Sequence, residues 1–164
     1  MNPFETGMAK LLQAQLAELY YCEQEMAVAL EEMAGIALSD ALRQLLLAHR
    51  AETLAQVRKL EAVFAELGAQ PRPQRCRAVE GLLEAGRMKQ QAMMSDPALD
   101  MALIAQAEKV EQFEITSYAN LVRLARLLGK TNVVAICSGI LEEEQKAYAA
   151  LSTLMEEQLV EQGC

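Results

Sequence analysis

Two stretches of this chain, 91 residues apart, place a glutamate inside an otherwise apolar helical stripe. In the first, apolar side chains fall at Leu12, Leu16 and Leu19, then at Met26, Leu30, Met33 and Ala37, with Glu23 in the gap. In the second they fall at Leu103, Ala107 and Val110, and Glu114 fills the gap before Ser117, Leu121, Leu124 and Leu128. Alternating steps of four and three are the period of a helix that buries one face. A bare charge on such a face costs several kcal/mol unless it is paired, hydrogen-bonded, protonated or bound to a cation. The repeated glutamate therefore constrains both the fold and the chemistry.

The same offset holds beyond these helices. Leu42, Leu45, Glu52, Leu60 and Val63 map onto Val133, Ile136, Glu143, Leu151 and Leu154 without a gap. Identity between the halves is low, so the match is one of pattern. Turn and cap residues divide the chain into five helices. The first is predicted from about Gly7 to Gly35, with Ser39 or Asp40 capping a second that runs to Leu67 and stops at Gly68. Pro71 and Pro73 make an extended link, and Gln74 to about Met94 reads as a shorter third helix. Asp96 and Pro97 open the fourth as cap and first residue; it ends at Leu128 and Gly129, and Thr131 caps a fifth that reaches about Glu157. Two antiparallel helix pairs joined by a short crossover helix predict an all-α, up-down-down-up four-helix bundle of the ferritin-like type.

A length of 164 residues suits one domain spanning 1–164, and only 4% aromatic residues with no Trp fits a helix-rich core. The net charge of −8 argues against nucleic acid, which calls for clustered Lys and Arg. No run approaches a membrane span, and the start lacks a basic segment followed by an apolar one, so a cytoplasmic protein is expected. Cys22, Cys76 and Cys137 form no CxxC pair and are expected as small buried residues, with Cys164 a mobile terminal thiol.

His49, the sole histidine, precedes Glu52 by three residues, and Glu111 precedes Glu114 by the same step, which puts each pair on one helix face. Of Glu142, Glu143 and Glu144, Glu143 matches Glu52 in register. Glu23, His49, Glu52, Glu111, Glu114 and Glu143 thus fall at one level of four helices, a set similar to a carboxylate-bridged di-metal site. Plainer readings stand beside this one. Glu23 and Glu114 suit interhelical bonds to Lys, Arg or Tyr, His49 a satisfied core position, and Glu111 a solvated one. The methionines read as core filler. Tyr20, Tyr21, Tyr118 and Tyr148 can pack while bonding a carboxylate.

The stretches LYYCEQEMAVAL, HRAETLAQVRKLEAVFAELG, CRAVEGLLEAG, ALIAQAEKVEQFEITSYANL and LEEEQKAYAALSTL resemble the bacterial YciE/YciF family of ferritin-like stress-response proteins, from about Leu11 to Leu154. The resemblance implies a five-helix ferritin-like fold, a homodimer, and a di-metal centre of undefined activity at Glu23, His49, Glu52, Glu111, Glu114 and Glu143 or Glu144. Where the family usually carries an acid in the third helix, a histidine between the two glutamates of the fourth and an aspartate late in the fifth, this chain has Ala85, Gln112 and Tyr148. The Glu-x-x-His motif of ordinary ferritins is absent, since Ala55 and Lys146 follow Glu52 and Glu143 by three residues. The expectation is one or two divalent ions, iron or manganese, held by Glu23, Glu52, Glu114 and Glu143 with His49 and Glu111 as auxiliary ligands. Metal-assisted oxygen or peroxide chemistry is the class such a site permits. The competing expectation is a non-enzymatic structural or interaction protein that keeps the fold without a competent site.

Overall fold

A computed structural model describes residues 2–161, which form five helices: α1 (Pro3–Ile36), α2 (Asp40–Glu66), α3 (Arg77–Ala92), α4 (Leu99–Leu127) and α5 (Thr131–Glu161). Cys164 lies outside the described residues. None of the described helices is long and apolar enough to cross a membrane.

Local chemistry sets most of the helix ends. α1 starts four residues earlier than expected because Asn2 caps it. The Asn2 side chain accepts from the Glu5 backbone N–H, Glu5 reaches back to the Asn2 N–H, and Pro3 takes the first helical position. Ser39 caps α2 by accepting from the Leu42 N–H at 3.2 Å. α2 and α4 end alike. Gly68 and Gly129 adopt φ of 68° and 66°, a conformation glycine enters without a Cβ penalty. In each case the glycine and the next residue turn their N–H groups back onto helix carbonyls: Gly68 to Ala65 and Ala69 to Phe64, Gly129 to Arg126 and Lys130 to Ala125. Asp96 makes a tight turn by accepting from the Ala98 N–H, so α4 begins at Leu99, two residues after Pro97.

α1 packs along α2, α4 along α5, and α3 lies on α4; α1 also meets α4, and α2 meets α5. Tyr20 bonds Glu61, and Arg50 bonds both the Ala27 carbonyl and Glu31, so α1 and α2 run antiparallel. Buried Asp100, in the first turn of α4, accepts from the Leu38 and Ser39 N–H groups at 2.7 and 2.8 Å. It thereby fixes the α1–α2 turn against the other pair.

The apolar core divides into two clusters. One gathers Met26, Leu30, Leu46, Leu83, Leu103 and Leu151, and the other Leu16, Leu60, Phe64, Tyr118, Leu121 and Ile140. Between them the buried positions turn polar, with Glu23 on α1, His49, Thr53 and Gln56 on α2, Glu111 and Glu114 on α4, and Glu144 on α5. The cysteines Cys22, Cys76 and Cys137 are free and buried. Burial pushes the Cys22 and Cys137 thiols well up, Cys137 to about 12, so both behave as packing residues.

Candidate metal centre

The polar layer is built from one or two turns of each long helix. On α2 the inward face passes through Leu42, Leu46, His49, Thr53, Gln56 and Leu60, in steps of three and four. His49 is therefore buried, and its Nε2 lies 2.9 Å from Oε1 of Glu111 on α4 and 3.9 Å from Oε2 of Glu144 on α5. His49, Glu111 and Glu144 each offer a ligand atom within 4.8 Å of the other two. Glu23 and Glu114 complete the layer. The Tyr118 hydroxyl donates to Glu23 Oε1, while Glu114 Oε1, Glu111 Oε2 and both oxygens of Glu144 have no hydrogen-bond partner among the described residues.

Burial and mutual repulsion govern the charges here. Burial raises the Glu23 carboxyl to about 8, against the Tyr118 hydrogen bond and the His49 charge, which both pull it down. Burial, with Glu23, Glu144 and Glu111 as neighbours, lifts Glu114 well above the usual carboxylate range. Glu144 is pushed up to about 11 by burial and by the charges of Glu23 and Glu111. For His49 burial opposes the charged ring, but the Glu111 bond and the surrounding carboxylates outweigh it and raise its pKa. Without a cation, Glu23, Glu114 and Glu144 hold protons at neutral pH.

The geometry departs from the sequence expectation at two residues. Glu52 was expected in the bundle-facing stripe, but its side chain is 57% exposed, with Oε2 3.6 Å from His49 Nδ1 on the outer side of the ring. Glu143 is half-buried and bonds Lys59 and Gln56, while its neighbour Glu144 points inward and is 1% exposed. The reason is the 100° step between successive helical residues: the inward face passes through Thr53 and Glu144, one residue beyond. Glu111, which a solvated reading also fitted, is fully buried. Tyr118 was among the tyrosines expected to bond a carboxylate, and it reaches Glu23. Tyr20 and Tyr21 likewise bond Glu61 and Glu80.

A family model described as a domain of unknown function, DUF892, matches residues 8–163. This chain belongs to the DUF892 family. It is 32% identical over 140 residues to Protein YciF of Escherichia coli (strain K12), covering 85% of this chain and 84% of that protein. The crystal structure of the E. coli stress protein YciF superposes with a TM-score of 0.84 at 28% identity, over 93% of this chain and 96% of that one. The protein YcfI from Rhodopseudomonas palustris superposes with a TM-score of 0.87 at 34% identity, over 89% and 93%. The YciF resemblance read from the sequence is thereby borne out. Within the DUF892 chain, the three departures noted above lie away from the buried layer: Ala85 and Gln112 are exposed and Tyr148 is half-buried. They leave the inward set of one histidine and four glutamates intact.

Proposed function

We propose that this chain is a stress-associated, ferritin-like protein whose central layer binds one or two divalent metal ions, iron or manganese. The observation that carries this reading is the convergence of His49, Glu111 and Glu144 from three helices to within 4.8 Å, all buried. The orphaned oxygens of Glu111, Glu114 and Glu144 fit the same reading, since a buried carboxylate oxygen left unpaired calls for a cation or a proton. Glu23, His49, Glu111, Glu114 and Glu144 would hold the ions, a set of oxygens and one imidazole that suits iron or manganese. Glu52 faces the outer nitrogen of His49, and Glu143 stands beside the layer on Lys59. A bound metal would supply Lewis-acid and redox capacity toward oxygen or peroxide. The protein's own contribution is to keep water out with two apolar clusters and to hold His49 Nε2 toward the carboxylates.

The bundle is read as two repeats of one helix pair within a single domain. Buried Leu42, Leu46, His49, Thr53, Gln56 and Leu60 correspond, 91 residues on, to Val133, Cys137, Ile140, Glu144, Ala147 and Leu151, and all of these are buried too. That correspondence supports an up-down-down-up four-helix bundle with α3 as crossover. A cytoplasmic homodimer completes the proposal; exposed Val28, Leu47 and Leu54 on the first helix pair offer apolar surface for a second copy.

Metal analysis of untagged protein reconstituted with Fe(II) or Mn(II) tests the reading, set against a Glu111→Gln/Glu144→Gln variant. Bound metal in the parent and its loss in the variant support it; near-zero occupancy in both removes it. A second reading, a structural protein without metal, is favoured by the raised carboxyl pKa values, because protonated carboxyls need no ion. Under that reading Fe(II) and Mn(II) leave the unfolding midpoint unmoved, whereas a metal that binds only the folded state raises it. Light scattering of the purified chain tests the dimer.

A further inference from the structure

His49 has a second face. Its Nε2 serves the carboxylate layer, but Nδ1 is buried without a hydrogen-bond partner among the described residues. Such an orphaned polar atom is costly in a packed interior and points to a partner from outside the fold. Beside the ring lies a cavity of about 200 Å³ between α2 and α5, walled by Leu45, Leu46, Ala147, Ala150 and Leu151. His49 lines it together with Glu52 and Lys146, both exposed. Its volume is below the roughly 300–1,000 Å³ of a pocket for drug-sized molecules, so its occupant is small.

We propose that this cavity binds a small aliphatic molecule carrying a terminal hydroxyl group. The apolar walls select the chain. The polar end is selected by the spacing of two groups: Glu52 Oε2 stands 3.6 Å from Nδ1, too far for a direct hydrogen bond. A hydroxyl both donates and accepts, so it can bridge this gap, accepting from an Nδ1–H while donating to Glu52. A carboxylate meets the like charge of Glu52 at the mouth and has no proton to donate to it. An ammonium has no lone pair to offer an Nδ1–H and passes Lys146 on its way in.

The inference stands apart from the metal reading, and its test uses metal-stripped protein in EDTA so that the two can fail separately. His49 is the only histidine, so its ring nitrogen resonances are unambiguous in ¹⁵N-labelled protein. Titration with 1-pentanol is expected to shift the Nδ1 resonance saturably. From 1-propanol to 1-pentanol the affinity should rise about fourfold per methylene, the equilibrium equivalent of burying one CH₂ group. Pentanoate and pentylammonium should give no saturable shift. Ala150→Leu, which fills the cavity from α5, and Ala48→Leu, which fills it from the exposed side of α2, should each weaken 1-pentanol at least about tenfold; helical circular dichroism identifies which of them is folded, and a folded variant decides. Absence of saturation by 1-pentanol in the parent overturns the proposal and leaves the cavity to water. So does unchanged affinity in a folded cavity-filling variant, or equal binding of either ion.

Discussion

His49 on α2 and Glu111 on α4 are 62 residues apart in sequence, yet His49 Nε2 and Glu111 Oε1 meet at 2.9 Å in a fully buried contact. The pair joins the two helix pairs at the level where the apolar core is interrupted. Around it stand Glu144, Glu23 and Glu114, and the behaviour of this layer gives the first predictions.

If the layer binds metal, adjacent glutamates on α5 will behave differently. Glu144→Gln is expected to lower Fe(II) or Mn(II) affinity by more than the roughly ten- to hundredfold typical of outer-shell changes, because Glu144 is 1% exposed and 3.9 Å from His49 Nε2. Glu143→Gln should leave the affinity unchanged, since Glu143 is engaged with Lys59 and Gln56. Calorimetric titration of both variants decides; a larger loss in Glu143→Gln would return the site to the register expected from sequence.

Metal-free protein should lose stability as pH rises from about 5 to 8. Glu23 titrates at about 8 in the folded chain against an ordinary 4.5, and Glu144 at about 11, so the folded state keeps protons that the unfolded state has given up. With more protons bound in the folded state, the free energy of unfolding falls with pH. His49, also raised, acts in the same direction. Urea midpoints in EDTA at pH 5.5 and pH 8 measure this, and a midpoint that rises with pH would contradict it. With saturating metal the trend should weaken or reverse, because ligands must lose their protons to bind.

Tyr118→Phe removes the hydroxyl that donates to Glu23 Oε1 and leaves that oxygen buried without a donor. A loss of about 1–3 kcal/mol in unfolding free energy is expected. Glu23→Gln in the same background should be less than additive, because the two side chains form one contact. Denaturant unfolding of the four members of the cycle gives the coupling; strict additivity would mean that the contact contributes nothing.

Asp100→Ala should destabilise by about 2–4 kcal/mol, since two part-buried charge-assisted bonds to the Leu38 and Ser39 N–H groups disappear together. Asp100→Asn keeps one acceptor and should fall between parent and alanine variant. Thermal unfolding separates the three, and an alanine variant as stable as the parent would show that water replaces the carboxylate without cost.

The helix ends were legible wherever a single residue dictates backbone conformation. Gly68 and Gly129 stop their helices through a positive φ that few other residues adopt, and Ser39 caps α2 through its own hydroxyl. Asn2 and Pro3 carried the same kind of signal, and reading them as Ncap and first helical residue would have placed the start of α1 correctly. Asp100 gave no such signal, because a carboxylate in a first helical turn suits the helix dipole equally well. Its bonds to a turn 61 and 62 residues away exist only in the folded chain.

The five helices, their order, a level at which glutamates interrupt the apolar stripes, and the family to which the chain belongs could all be read from the order of residues. Those follow from local conformational preference and from the period of one helix, which are properties of consecutive residues. Helix packing settled that Glu144 and not Glu143 faces inward, that Glu52 stands outside the His49 ring, and that Glu111 is fully buried. One residue along a helix turns a side chain by about 100°, so periodicity leaves neighbouring glutamates unresolved until the facing helices settle which direction is inside. The two interrupted stripes with Glu23 and Glu114 were thus visible in the sequence, whereas the partners that give them chemistry came from helix packing.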